Sequence, residues 1–269
     1  MPRSRGKGWM LFLFKGGIAI DAQKFRAACD KILYEERKQN GIGTLKEKTL
    51  HKILKFYFEP HEHNHETKVG GYVADIVGET GIVEIQTRQF SKMRKKLEAF
   101  LPVCDVTVVY PVAQVKYLCW LDGETGEVSN KRKSPRQGRP YEIFDELYSI
   151  KYLLKEPKLH FCIVMLGMEE CRNLNGWGKD KKRGSSRFDR VPTQIFEEIL
   201  IGGTEDYHKL IPDDLPEEFS TKDFKKHGGL SQKGAQTALN VLHYVEAVTK
   251  IGKKGNLILY KRNKNSLQI

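Results

Sequence analysis

The chain has 269 residues, a formal net charge of +12 and a pI near 9.3. Its 39% hydrophobic and 30% charged residues are typical of a soluble globular protein and exclude an intrinsically disordered one. The positive charge favours polyanionic partners, nucleic acid before an anionic membrane, although a merely basic surface is the simpler alternative.

The predicted elements begin after a basic N-terminal segment at residues 1–20. Apolar residues at helical spacing predict helices over residues 21–39 and 44–58. Two runs rich in β-branched residues follow, at 73–77 and 82–87, and they flank a Gly-Glu-Thr-Gly turn. This pattern predicts a β-hairpin.

The predicted hairpin places two carboxylates opposite each other. If the turn is a four-residue loop, Val77 lies opposite Ile82, and counting back places Asp75 opposite Glu84. Opposed Cβ atoms are roughly 4.5–5.5 Å apart, where like charges are destabilising unless a cation lies between them. Carboxylate oxygens suit Mg²⁺, with Mn²⁺ as a substitute. A slipped register would instead leave a solvated pair.

Further helices are predicted over residues 91–101 and 141–154, and buried strands over 106–112 and 160–166. The first of these helices has an apolar stripe that faces inward. Its basic residues are expected to face solvent: Lys92, Arg94, Lys95 and Lys96.

Changes in composition divide the chain into two predicted domains. Residues 21–175 form an α/β domain, residues 176–205 a basic linker or loop region, and residues 206–269 a C-terminal domain. In the last, Ser220 and Ser231 are predicted to cap two successive helices. A hairpin with a basic tip follows them.

This order of helix, turn, helix and basic hairpin resembles a winged helix-turn-helix domain, which implies DNA binding. The second helix would enter the major groove, where polar side chains bond base edges. The residues in question are Ser231, Gln232, Lys233, Gln236, Thr237 and Asn240. Lys253 and Lys254 would contact the phosphate backbone from the hairpin tip. The alternative is a winged helix that contacts only proteins.

Asp75, followed after eight residues by Glu84-Ile-Gln, resembles the bipartite motif of the PD-(D/E)xK nuclease superfamily. The predicted order of helix, hairpin, helix and buried strand over residues 44–112 matches as well. The resemblance implies a restriction-endonuclease-like α/β core with a mixed sheet. It further implies that Mg²⁺ is bound by Asp75, Glu84 and the backbone carbonyl of Ile85.

The resemblance also suggests roles for three other residues. Gln86 lies at the position where the superfamily usually has a Lys that orients or activates the attacking water. Some members of the superfamily have Gln at this position. Glu47 would be the Glu often found on the preceding helix, although its spacing from Thr44 equally fits a capping box. Arg88, two residues after Gln86, would supply the missing cation or is simply an exposed strand end.

Other features of the sequence exclude further classes. Its five cysteines, without a Cys-x-x-Cys pair, argue against a disulfide framework and a zinc ribbon. The apolar run at residues 9–14 is too short to span a membrane or to act as a secretory signal. No P-loop motif for a nucleotide is present. A cytoplasmic protein is therefore expected, with neither a membrane partner nor a nucleotide cofactor.

The expected function is that of a metal-dependent DNA endonuclease brought to its substrate by the winged helix. A symmetric cut through a duplex would imply a homodimer. One alternative is a catalytically silent DNA-binding regulator, which is consistent with Gln86 in place of the usual Lys. A nuclease for RNA or branched DNA is a weaker alternative, because fold alone does not choose among these activities.

Overall fold

The computed structural model describes residues 20–40, 49–122, 125, 127–173 and 186–263. Two helices come first, α1 (Ala22–Asn40) and α2 (Thr49–Phe58), where helices were predicted. Their apolar stripes are buried against each other and against one face of a large sheet. The buried side chains include Phe25, Ala28, Ile32, Leu50, Ile53 and Leu54.

Among the described residues, the central sheet has seven strands and is mixed. The spatial order is β1-β2-β3-β4-β6-β7, with the short β5 paired to β4. The neighbours β3 and β4 are parallel, as are β4 and β6, and the other pairs are antiparallel. The strands are β1 (His65–Val69), β2 (Tyr72–Gly78), β3 (Gly81–Ile85), β4 (Val106–Leu121), β5 (Arg132–Lys133), β6 (Leu159–Asn173) and β7 (Ser186–Ile201). The predicted α/β class with a mixed sheet is confirmed.

The β2–β3 hairpin has the predicted register, since Val77 pairs with Ile82. Pairing continues to Gly78 and Gly81, so the turn has two residues and not four. Gly81 has a φ of +116°, and a Cβ there would lie 2.3 Å from the carbonyl oxygen of Asp105. Only glycine allows β4 to approach this closely.

Strand β7 corrects the prediction of a linker over residues 176–205. From Ser186 onward, that segment pairs antiparallel with β6 along almost its whole length. The basic residues before it obscured an alternating pattern in which Ile195 and Ile199 are buried while Gln194 and Glu197 are exposed. Such alternation is typical of a strand with one face on the core.

Two predicted helices are present in shorter form on the other face of the sheet. A 3₁₀ turn at Phe90–Met93 leads into α3 (Arg94–Phe100), and Gln89 before the turn is left-handed with a φ of 62°. The predicted helix at 141–154 is a short α4 (Phe144–Ser149) between two 3₁₀ turns.

The C-terminal part begins with a 3₁₀ helix at Thr204–Leu210 and contains a three-stranded antiparallel sheet in the order β8-β10-β9. Its elements are β8 (Glu218–Ser220), α5 (Thr221–Gly228), α6 (Gln232–Tyr244), β9 (Val248–Lys254) and β10 (Leu257–Arg262). Ser220 and Asp223 form a capping box at the start of α5, and the Ser231 side chain caps α6, as predicted. Gly229, in the turn between the helices, is left-handed with a φ of 63°.

A single apolar cluster joins the C-terminal part to the sheet. It runs from Val108 and Phe161 on the sheet, through Phe144 on α4, to Phe224 and Leu239 on α5 and α6. The rings of Phe144 and Phe224 meet edge to face, with centroids 6.3 Å apart. Within the described ranges, no helix has the length and apolar character needed to cross a membrane.

Candidate functional site

Hydrogen bonds across the β2–β3 hairpin link Asp75 and Glu84. The backbone N–H of Asp75 donates to Oε1 of Glu84 at 3.1 Å. The backbone N–H of Ile85 donates to Oδ2 of Asp75 at 2.8 Å. Each carboxylate therefore bonds the backbone of the opposite strand, which brings the pair together as the predicted register requires.

Lys96 is the cation of this site. Its Nζ lies 2.5 Å from Oε2 of Glu84, and its side chain is only 21% exposed. This corrects the expectation that Lys96 faces solvent. Lys96 is three residues after the buried Met93 and four before the buried Phe100, so helical spacing places it at the edge of the inward stripe.

His51 contacts the carboxylate of Asp75, and it reaches this group from the face of the sheet opposite to α3. Its Nε2 lies 3.1 Å from Oδ2 of Asp75, and α2 positions the ring. Four residues further along the same helix, Lys55 is buried and binds Oε1 of Glu66 at 2.7 Å. Glu66 is on β1, next to β2, and its φ of 52° is left-handed. Positive and negative groups thus alternate across the site.

The two carboxyl groups have pKa values shifted in opposite directions. Burial, and then the nearby charge of Asp75, raise the pKa of Glu84 to about 7, although Lys96 opposes the rise. Burial alone would also raise the pKa of Asp75. The hydrogen bond and charge of His51, together with the Ile85 N–H, outweigh burial and lower that pKa. Neighbouring acids with separated pKa values are typical of sites that move protons.

The other residues of the predicted motif lie beside the pair. Ile85 is buried at the end of β3. The side-chain Nε2 of Gln86 donates to the backbone carbonyl of Arg88 at 2.6 Å, so the amide is held within its own loop. The Arg88 side chain is exposed, and no contact among the described residues joins it to either carboxylate. Glu47 lies outside the described residues.

A divalent cation needs several oxygen donors around it. Within the described part of the chain, no group of three or more His, Cys, Asp or Glu side chains is arranged to hold a metal ion. Asp75 and Glu84 still offer two adjacent hard oxygen donors. Mg²⁺ usually takes one or two protein carboxylates and completes its shell with water and substrate phosphate. The pair fits this minimal kind of site.

The predicted nucleic-acid contacts form an exposed polar face on α6. Ser231, Gln232, Lys233, Gln236 and Asn240 are exposed, and Thr237 is half-buried. Lys253 and Lys254 are exposed close to the β9–β10 turn, where the prediction placed them. These two groups lie on the C-terminal part, separate from the carboxylate pair.

Two adjoining cavities, which we call the central groove, link the end of β3 to the start of α6. One, of about 180 Å³, is lined by Thr87, Lys116 and Glu170 among others. The second, of about 460 Å³, reaches Ser231 and Gly234. Tyr110, Arg136 and Glu142 line both.

Comparisons with known proteins place the chain in a family without assigning it an activity. Residues 48–202, more than half of the chain, match the family described as "Domain of unknown function (DUF8091)". A Treponema pallidum (strain Nichols) protein described as uncharacterized is 30% identical over 229 residues, covering 82% of this chain and 87% of its own length. No solved structure matches. The chain belongs to the DUF8091 family.

Proposed function

We propose that the chain is a metal-dependent nuclease that hydrolyses phosphodiester bonds in DNA. The observation that carries this proposal is the cross-bonded pair of Asp75 and Glu84, with Lys96 on the second carboxylate. Two carboxylates in one buried site normally repel. Their presence together beside a cation, in a chain of net charge +12, favours chemistry on a polyanion.

The core elements support the restriction-endonuclease-like resemblance. Helix α2, the β2–β3 hairpin, α3 and the buried strand β4 follow in the order that the resemblance implies. Strands β3, β4 and β6 are parallel, so their carboxyl ends point the same way, and Gln86 follows the end of β3. Ligands of open α/β sheets commonly bind outside such ends.

The C-terminal elements support the winged-helix part of the proposal. The sequence of 3₁₀ helix, β8, α5, α6, β9 and β10, with strand order β8-β10-β9, has the helix-turn-helix and wing order. The exposed face of α6 would enter a DNA groove, with Lys253 and Lys254 on the backbone.

Each residue of the site has a distinct role in the proposed reaction. Asp75, Glu84 and the carbonyl of Ile85 would hold Mg²⁺, or Mn²⁺ in its place. The bound ion would supply Lewis-acid stabilisation and a more acidic coordinated water. His51 fixes the Asp75 carboxylate through its hydrogen bond to Oδ2. Lys96 would supply the cation that Gln86 lacks, beside the developing negative charge.

A cleavage assay tests this function directly. Plasmid, linear duplex, single-stranded and branched DNA, together with RNA, would be incubated with Mg²⁺, Mn²⁺ or EDTA. We expect metal-dependent cleavage that is abolished in Glu84→Gln and reduced about 10²-fold or more in Lys96→Gln, since a preorganised electrostatic contact is lost. Glu79→Gln, in the exposed turn of the same hairpin, and Lys68→Gln, at an exposed position of edge strand β1, are the matched controls. Cleavage unaffected by Glu84→Gln would refute the proposal.

A second candidate is a DNA-binding regulator with a silent nuclease-like site. The hydrogen bond from the Gln86 side chain to the carbonyl of Arg88 favours it, because the amide is bonded within its own loop. Binding of DNA without cleavage of any substrate would select this candidate. Cleavage of RNA or branched DNA alone would select the weaker alternative. A symmetric duplex cut would call for a homodimer, which a measured mass in solution tests.

A further inference from the structure

A polynucleotide that reaches both the carboxylate pair and α6 must cross the surface between them. The central groove is one route, but its charge is balanced. Its lining has four cationic side chains, Lys116, Arg136, Arg139 and Arg190, and four acidic ones, Glu142, Asp145, Glu146 and Glu170. A groove of zero net charge does not attract a phosphate backbone.

The second route crosses α3 and α4 and is different in character. We call it the α3–α4 surface, defined by Lys92, Arg94, Lys95, Glu98, Tyr148, Lys151 and Tyr152, with four cationic side chains against one acidic one. All except Lys151 are exposed, and Lys151 is half-buried. It starts beside the site, because α3 also carries Lys96. It ends at α6, because Nζ of Lys151 donates to Oδ1 of Asn240 at 3.0 Å.

Hydrogen bonds hold α3 to the end of α4 and to the 3₁₀ turn at Lys151–Leu153 that follows it. Nε of Arg94 donates to the carbonyl oxygen of Ser149 at 2.9 Å. The hydroxyl of Tyr152 donates to Oε1 of Glu98 at 2.6 Å. The surface is therefore a defined arrangement between two packed elements and not a set of independent side chains.

Aromatic rings alternate with cations on this surface. Tyr148 is 50% exposed and Tyr152 is 52% exposed, although large aromatic side chains usually bury most of their area. Nζ of Lys151 lies 5.6 Å from the ring centroid of Tyr148 and 5.1 Å from that of Tyr244. Exposed rings flanked by cations are the arrangement that binds unpaired bases and their phosphates.

We propose that the α3–α4 surface binds a single-stranded segment of nucleic acid, with a base stacked on Tyr148. The basic side chains of α3 and Lys151 would contact its phosphates. A duplex does not satisfy this surface, because its bases are stacked on one another and present no free face to a tyrosine ring. The inference rests on the proposed function, and it makes the preferred substrate one that contains unpaired nucleotides.

Fluorescence anisotropy of the full chain in EDTA tests the surface independently of cleavage. The probes are labelled oligo-dT and oligo-U of about 20 nucleotides and a labelled duplex of the same length. We expect Tyr148→Leu to weaken single-strand binding about fivefold or more and to leave duplex binding nearly unchanged. Tyr148→Phe should bind like the parent, since it keeps the ring. Tyr34→Leu removes a tyrosine that is 60% exposed on α1, on the other face of the sheet, and should have no effect.

The outcomes separate this inference from the proposed function. Binding of oligo-dT or of oligo-U that is weakened by Tyr148→Leu supports the inference. Unchanged single-strand binding in Tyr148→Leu, or an equal loss for single strand and duplex, overturns the inference. Single-strand binding that depends on Tyr148, without metal-dependent cleavage, would uphold the surface and refute the nuclease. A matching circular dichroism spectrum and melting temperature for Tyr148→Leu would show that folding is not the cause.

Discussion

At the scale of single residues, Asp75 and Glu84 respond to pH with opposite signs. Glu84 has a pKa raised from 4.5 to about 7 by burial, so the folded chain binds more protons there than the unfolded chain. Stability therefore falls as the pH rises between these two values. Asp75 has a pKa below its ordinary value, because His51 and the Ile85 N–H outweigh burial. It stabilises the fold above that ordinary value, and its contribution is lost as the pH falls through the folded-state pKa.

Neutral isosteres of the two residues should accordingly change stability in opposite directions. Above about pH 7 and in EDTA, we expect Glu84→Gln to be more stable than the parent by up to about 3 kcal/mol, since each pKa unit corresponds to about 1.4 kcal/mol. Asp75→Asn should be less stable, because it loses the attraction of His51. Urea unfolding at about pH 5 and about pH 8 measures both, with Glu79→Gln as the exposed control. If the parent protein gained stability relative to Glu84→Gln between about pH 5 and about pH 8, the raised pKa of Glu84 would be contradicted.

At the scale of elements, the β2–β3 turn determines whether the carboxylates meet at all. Gly81→Ala would drive a Cβ into the Asp105 carbonyl at 2.3 Å, whereas Gly71→Ala meets nothing within 4 Å despite a φ of +82°. We expect Gly71→Ala to cost about 1–2 kcal/mol of backbone strain, and Gly81→Ala to cost more and to abolish cleavage by displacing β3 from β4. Thermal unfolding and the cleavage assay measure both. Equal destabilisation by the two variants would show that the close approach to Asp105 is unimportant.

The same hairpin shows what the sequence could predict. Its register depends on local alternation and one turn, so the opposition of Asp75 and Glu84 was predictable from spacing alone. Strand β7 was missed because its pairing with β6 is set by distant residues, while the basic stretch before it is typical of a loop. His51 and Lys96 were missed for a related reason. Their partners lie on other elements, and only the packing of α2 and α3 on the sheet brings them to the carboxylates.

At the scale of the whole molecule, the C-terminal elements are part of the main core. A winged helix attached by a linker would have its own core and would unfold separately. Here α5 and α6 share an apolar cluster with α4 and the sheet, and ion pairs such as Lys155 to Glu246 cross the same boundary. The exposed face of α6 is therefore held in a constant position relative to Lys96 and the carboxylates.

This shared core predicts one cooperative unfolding transition for the whole chain. Leu239→Ala on α6 and Ile53→Ala on α2 remove fully buried side chains from the two different apolar clusters. Each should lower the free energy of unfolding by about 2–5 kcal/mol and shift one common transition, because both clusters share the strands of the central sheet. Urea unfolding followed by far-UV and near-UV circular dichroism tests this, since coincident curves are required for two-state behaviour. Two transitions, with Leu239→Ala moving only one of them, would mean that α6 belongs to an independent domain whose position relative to the carboxylate pair is variable.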